Sequence, residues 1–146
     1  MNMPEDLAMT NVIVTDTGFQ PDDWSAPVQS IADLQDLPVM AVDLGPADDL
    51  DVLRDRIGQI DLIRVAFKAF NDGRGFTIAR KLRAMGYQGR LRAAGHVIAD
   101  QYTMMRRAGF DEVEISAELA GRQPEAQWQR RTDWRAHDYQ ARLRIG

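Results

Sequence analysis

The chain has 146 residues, is 45% hydrophobic and carries a net charge of −4, which suits one domain long enough to bury a core. It has no cysteine, and this excludes disulfides, thiolate metal sites, iron–sulfur ligation by this chain and cysteine catalysis. Its two histidines are His96 and His137, so a zinc site would lean on carboxylates.

Residues 1–10, MNMPEDLAMT, read as a tail that is acidic and lacks the basic-then-apolar pattern of a signal sequence. No apolar run approaches the ~20 residues that span a bilayer. The expectation is a cytoplasmic protein with no membrane partner. NVIVTDTGFQPDDW joins a β-branched run to a Thr-Asp-Thr-Gly turn and predicts a small hairpin or edge strand. SAPVQSIADLQDL reads as a loop with a short helix.

From residue 38 the pattern becomes regular. PVMAVDL (38–44) predicts a strand. PADDLDVLRDRIG (46–58) predicts a helix, with Leu50, Leu53 and Ile57 spaced by three and four. LIRVAFKAF (62–70) predicts a second strand, followed by a helix with Ile78, Leu82 and Met85 on one stripe. GRLRAAG (89–95) predicts the third strand and IADQYTMMRRAG (98–109) its helix. DEVEI (111–115) predicts the fourth strand, and a C-terminal helix is expected over 124–142. Met104 and Met105 read as core, and Trp128 and Trp134 as packing anchors, against this chain or another.

Strand–helix alternation with short connections implies parallel strands in βα units. The predicted strands alternate in polarity rather than running continuously apolar. Helices are therefore expected on one face, with Arg64, Lys68, Arg92 and Glu114 on the other. The fold predicted is a four-stranded, mainly parallel α/β sheet resembling half a (β/α) barrel, all in a single domain over residues 1–146. The alternative is a flavodoxin-like three-layer sandwich.

Charge is unevenly spread. Residues 1–61 hold thirteen acids and two bases, and residues 62–146 hold sixteen bases and nine acids. The basic half suits a small anion or an acidic surface. Its basic residues are not interleaved with aromatics, so nucleic acid is not expected. A charged, one-sided sheet predicts a homodimer that pairs acids of one copy with bases of the other. The competing arrangement folds the acidic N-terminal segment over the basic face of the same chain.

Site candidates collect at the carboxyl ends of the strands, where parallel α/β proteins bind ligands. Asp72 reads as the N-cap of the second helix. Gly73 and Gly75 free the backbone around Arg74, and first-turn amides with a guanidinium suit a carboxylate, sulfate or phosphate. The bland alternative is a capped junction whose Arg74 pairs with a nearby acid. Gly95, His96, Asp100 and Gln101 follow the third strand, and Arg92 lies within it. Candidate acids or bases are Asp72, His96 and Asp100. Asp43 with these three makes a weak metal set of unfixed spacing, so no metal or cofactor is assigned.

The words DGRGF (72–76), ARKLR (79–83), GY-x-G-x-LRA (86–93), DQ (100–101) and GFD (109–111) resemble the bacterial domain-of-unknown-function family 934. DDW at Trp24 and YQ at Tyr139–Gln140 also fit. Two positions depart from the family pattern: Lys68 stands where proline is usual, and His96 where an acid is usual. Family members are commonly encoded beside sulfite reductase and labelled oxidoreductases of sulfite reduction. The resemblance implies a role in assimilatory sulfate reduction and cysteine biosynthesis, with sulfite reductase or another sulfur-assimilation enzyme as partner. Nothing in the residues reads as a nicotinamide, flavin or siroheme site. Two functions stand: an accessory protein that binds a partner or small anion, or a small (β/α)-type enzyme or oxidoreductase acting on an anionic metabolite.

Overall fold

A computed structural model describes residues 11–134. Its centre is one seven-stranded, mixed but mostly parallel sheet. Strands β1 (Val12–Thr15) and β2 (Gly18–Pro21) form the hairpin expected from the Thr-Asp-Thr-Gly turn. Then come β3 (Val28–Ser30), β4 (Ala41–Leu44), β5 (Leu62–Phe67), β6 (Arg90–Gly95) and β7 (Glu112–Ile115). The strand order is β2-β1-β7-β6-β5-β4-β3, with β3 to β7 mutually parallel and β1 antiparallel to both its neighbours.

The four strands read from alternation are β4 to β7. The sheet is wider than four because the N-terminal segment supplies both edges, β2 on one side and β3 on the other. Strands β4 to β7 follow one another without the reversal that a flavodoxin-like sandwich requires.

Helices α1 (Arg74–Ala84) and α2 (Tyr102–Ala108) connect the later strands. Helices α3 (Ala117–Arg122) and α4 (Glu125–Gln129) follow β7. Phe76, Ile78, Ala79 and Leu82 of α1 join one core with Tyr102 and Met105 of α2. The strand residues in that core include Ile63, Val65, Phe67, Leu91, Ala93, Val113 and Ile115. These are the alternate positions expected to face the helices. Met105 is core, but Met104 is 51% exposed.

Two helix expectations fail. The segment after β4 forms a 3₁₀ helix over Leu50–Arg56 instead of an α-helix over 46–58, and Leu53 is its only buried residue. Apolar spacing pointed to a helix, but only one of the three apolar side chains is fully buried, too little to fix a long one. The C-terminal helix starts as expected, capped by Pro124, but closes at Gln129. The rest of that predicted helix, beyond residue 134, lies outside the described residues, as do Tyr139 and Gln140.

Trp128 is fully buried in this chain's own core, edge-on to Tyr102 at 6.1 Å, so it does not anchor another chain. Helix α4 also guards the β2 edge. The Phe19 amide donates to Glu125 at 2.7 Å, which occupies a donor that an open edge would offer to another strand.

The second sheet face is a charge lattice. In register across it lie Asp43, Arg64, Arg92 and Glu112 on β4 to β7, with Ala66, Ala94 and Glu114 in the next row. Arg64 grips Asp43 through two hydrogen bonds of 2.6 and 2.8 Å. Arg92 donates to Glu112 at 2.6 Å and to Glu114 at 2.8 Å. Lys68 does not belong to this face, because β5 ends at Phe67 and Lys68 is exposed in the loop beyond.

Residues 22–27 carry the chain from the β2 edge to the β3 edge, and their acids land on the lattice. Asp22 accepts from Arg92 at 3.2 Å, Asp23 accepts from Arg90 at 2.8 Å, and the Arg90 guanidinium lies 5.7 Å from the Trp24 ring centre. The acidic segment thus folds over basic residues of its own chain, as the competing arrangement had it.

Candidate functional site

The carboxyl edge of the parallel strands is built by the loop between β5 and α1 and the turn between β6 and α2. Asp72 is not the N-cap; Gly73 holds that position. The Asp72 carboxylate instead accepts the Arg74 amide at 3.1 Å and the Arg74 guanidinium at 2.9 and 2.8 Å. These bonds hold its carboxyl down at about 2. The pair closes on itself, so an anion would have to displace Asp72 to reach Arg74.

The two glycines of this turn differ in role. A Cβ on Gly75 would meet the Phe67 ring at 2.6 Å (Cε1) and 2.8 Å (Cε2), whereas one on Gly73 would meet nothing within 4 Å. Phe67 is buried between Phe76 and Phe110, at ring separations of 5.4 and 5.7 Å. Gly75 therefore lets α1 sit down on the sheet. Gly75→Ala is expected to cost about 1–3 kcal/mol by overpacking. Gly73→Ala should leave the urea midpoint level or raise it slightly, because it restricts the unfolded chain. Equal midpoints for the two variants would refute this division.

On the other side of Phe67, Gly95 has φ +116°, and a Cβ there would lie 2.5 Å from the Phe67 carbonyl oxygen. His96 follows, exposed, with its amide donating to the same carbonyl at 2.8 Å. Its ring stands edge-on to Phe70 at 5.5 Å, and Phe70 is 45% exposed. Among the described residues no hydrogen bond reaches the His96 ring. Gln101 ties the two loops together, accepting from the Ile98 amide at 3.0 Å and donating to the Phe70 carbonyl at 2.6 Å. Asp100 accepts from Arg131 at 2.7 Å.

The predicted metal set does not converge. Asp43 is held by Arg64, Asp72 by Arg74 and Asp100 by Arg131. Among the described residues no group of three or more acids and histidines is arranged to hold a metal ion. Arg92 is equally committed. Its side chain is 1% exposed and ringed by Glu112, Glu114 and Asp22, so it is not an open anion site.

Two adjoining hollows do open at this edge. One, of about 340 Å³, is lined by Phe70, His96, Ser116, Leu119 and Arg122 among others. The other, of about 520 Å³, lies over Ala66 and Ala94 between Asp43, Arg64 and Glu114. Asn11, Gly95 and Glu114 line both. Small side chains on two neighbouring strands leave the floor low. Burial alone would push the Glu114 carboxyl up. Hydrogen bonds from Asn11 and Arg92 and the charges of Arg64 and Arg92 outweigh that and hold it below the usual carboxylate range.

The profile of a family described as bacterial protein of unknown function (DUF934) matches residues 41–144. The chain belongs to DUF934. No curated protein sequence matches it.

Much of the vocabulary that carries the DUF934 likeness holds the fold. Arg83 makes five hydrogen bonds, to the carbonyls of Tyr87, Gly89 and Gly109 and to the Asp111 carboxylate. That one side chain joins the segments ARKLR, GY-x-G and GFD at the amino edge of the sheet. DDW supplies the acids and the ring set against Arg90 and Arg92. What remains at the carboxyl edge of this DUF934 chain is the Asp72–Arg74 pair, the His96–Phe70 ring pair and Gln101. Sequence reading missed Phe70, Asn11 and Ser116. The sequence pattern makes Phe70 the last residue of the second strand, whereas β5 ends at Phe67 and leaves Phe70 in the loop beyond; the other two enter only through long-range packing.

Proposed function

We propose that this protein is a non-catalytic accessory protein of assimilatory sulfite reduction, acting in cysteine biosynthesis. It engages a sulfur-assimilation enzyme, sulfite reductase first among the candidates, through the carboxyl edge of the parallel strands. The observation that carries the binding reading is the pairing of charge there. Asp43, Asp72 and Asp100 each already hold an arginine, and beside them stand an exposed histidine ring against a phenylalanine ring and the exposed Lys68. Aromatic groups next to paired charges suit a protein surface better than proton transfer. The tie to sulfur assimilation comes from the family likeness. The sequential βα order of β4 to β7 is in keeping with a (β/α)-type scaffold. No helix among the described residues is long and apolar enough to cross a membrane.

A deletion strain grown on sulfate, sulfite or cysteine tests the pathway. Growth restored by cysteine alone is the expected result, and unimpaired growth on sulfate removes the proposal. Purification of the tagged chain from sulfate-grown cells should carry sulfite reductase with it, and Phe70→Ala should release it.

The second reading, a small enzyme acting on an anionic metabolite, draws on the placement of His96 and Ser116 around the 340 Å³ hollow. It requires His96 as acid or base, because Asp72 and Asp100, the other candidates, are held by Arg74 and Arg131. Complementation of the deletion with His96→Ala and Arg74→Ala separates the two. Full growth with both variants excludes the enzyme, whereas loss of growth with a correctly folded His96→Ala that still carries sulfite reductase through purification favours it.

A further inference from the structure

The helical layer has a gap. Where the βα pattern calls for a full helix between β4 and β5, the chain supplies the seven-residue 3₁₀ helix Leu50–Arg56. This leaves one flank of α1 uncovered, and a cleft of about 700 Å³ lies between the two elements. Arg74, Thr77, Lys81 and Ala84 are exposed along it at spacings of three and four, a single stripe of the helix surface. Pro46, Leu50, Ile78 and Met85 give it an apolar lining.

Its rims carry opposite charge. Asp48, Asp49 and Asp51 outnumber Arg54 on the 3₁₀ side, and Arg74 and Lys81 stand on the α1 side. Some of these charges are engaged within the chain, as Arg74 is by Asp72 and Asp51 by Arg54. Asp48 and Asp49 accept backbone amides only, and Lys81 has no ion pair among the described residues.

We infer that this cleft is a docking groove for an amphipathic helix of a partner protein. The stripe on α1 spans about three turns, or roughly 16 Å, and a helix laid beside it would pack at the usual 8–10 Å. Its apolar residues, at i, i+3, i+4 and i+7, enter the cleft. Basic residues on one flank meet Asp48 and Asp49, and acidic residues on the other meet Lys81. A second copy of this chain fits less well, because two concave surfaces face to face leave both floors unfilled. This inference uses the helical layer and does not depend on the reading of the strand edge or on sulfur assimilation.

The probe is a synthetic helical peptide of about four turns, with leucines at i, i+3, i+4 and i+7, lysines on one flank and glutamates on the other. Titrated into the full isotopically labelled chain, it should shift the amide signals of Thr77, Lys81 and Ala84. Ala84→Arg, at an exposed position in the groove wall, should weaken binding at least tenfold while leaving the rest of the spectrum intact. Lys81→Glu should weaken the same peptide, and a peptide with lysine on both flanks should bind Lys81→Glu more tightly than the unsubstituted chain. No shift at millimolar peptide, or shifts confined to another face, would overturn the inference. So would a dimer of the unsubstituted chain that Ala84→Arg dissolves, because the occupant would then be a second copy.

Discussion

Arg92→Met will remove about 3–5 kcal/mol of folding stability, a fall of roughly 10 °C or more in Tm. The cause is what remains behind. Glu112 and Glu114 are each 6% exposed, and Arg92 donates to both. Methionine matches the stem of arginine but offers no donor, so two buried carboxylates lose their strongest partner. Arg90 still reaches Glu112, and Arg64 still reaches Glu114, which keeps the cost finite.

The pH dependence identifies the mechanism. In the unsubstituted protein the Glu114 carboxyl is held below its usual range. Its contribution to stability is therefore present above the unfolded carboxyl pKa and is lost as pH falls through the lowered value. In Arg92→Met the Glu114 carboxyl, deprived of one of the partners that lower it, takes up its proton more readily in the folded state. The deficit is then largest near neutrality and narrows by about pH 4. Urea unfolding at the two pH values measures this. A deficit constant with pH would mean that Arg92 acts through packing. Arg92→Lys should recover part of the loss, because it restores charge without the planar fork.

Trp128→Ala will cost a comparable 3–5 kcal/mol, roughly, and its effect will reach the strand edge. The indole fills the core against Tyr102 and donates to the Gln123 carbonyl at 2.9 Å. The Gln123 side chain in turn accepts from the Ala99 amide at 2.6 Å, in the turn that carries His96 and Gln101. Removing the ring frees Gln123 and so loosens that turn. Hydrogen exchange at the Ala99 amide should accelerate by more than global destabilisation explains. Trp128→Phe keeps most of the volume and loses one hydrogen bond, at about 1 kcal/mol. If Ala99 exchanges no faster in Trp128→Ala than in a core variant of equal stability, the two sites are not linked.

The central strands were legible because one sheet face is charged. Alternation at Ile63, Arg64 and Val65, or at Val113, Glu114 and Ile115, has a period that local sequence displays. β3 was not legible, because three residues of VQS carry no period and gain their strand form by pairing with Ala41–Asp43. The 3₁₀ helix was misread because Leu50, Leu53 and Ile57 have helical spacing but only Leu53 is fully buried. The charge imbalance between the halves was visible, but not which acids meet which bases. Asp22 and Arg92 stand seventy positions apart, and no window of sequence joins them. At the strand edge, Asp72 and Arg74 were found together because they are adjacent in the chain. The separate fates of Asp43 and Asp100 depended on Arg64 and Arg131, which only the folded chain brings near.

β1 also sets an order of assembly. Val14 pairs with Val113 and Val12 with Ile115, so among the described strands the earliest borders the latest. A ribosome releases residues 11–24 long before the strand they must join. Until β7 emerges, Ile13 and Val14 have no place to be buried, and Asp22 and Asp23 have no completed lattice to close over. Closing so long a loop early is entropically costly, and contacts this distant in sequence slow folding. The parallel block β4 to β6 can gather first, each strand beside the one made just before it. The hairpin then closes the structure from outside, so β1, made before every other described strand, is the last of them to be seated.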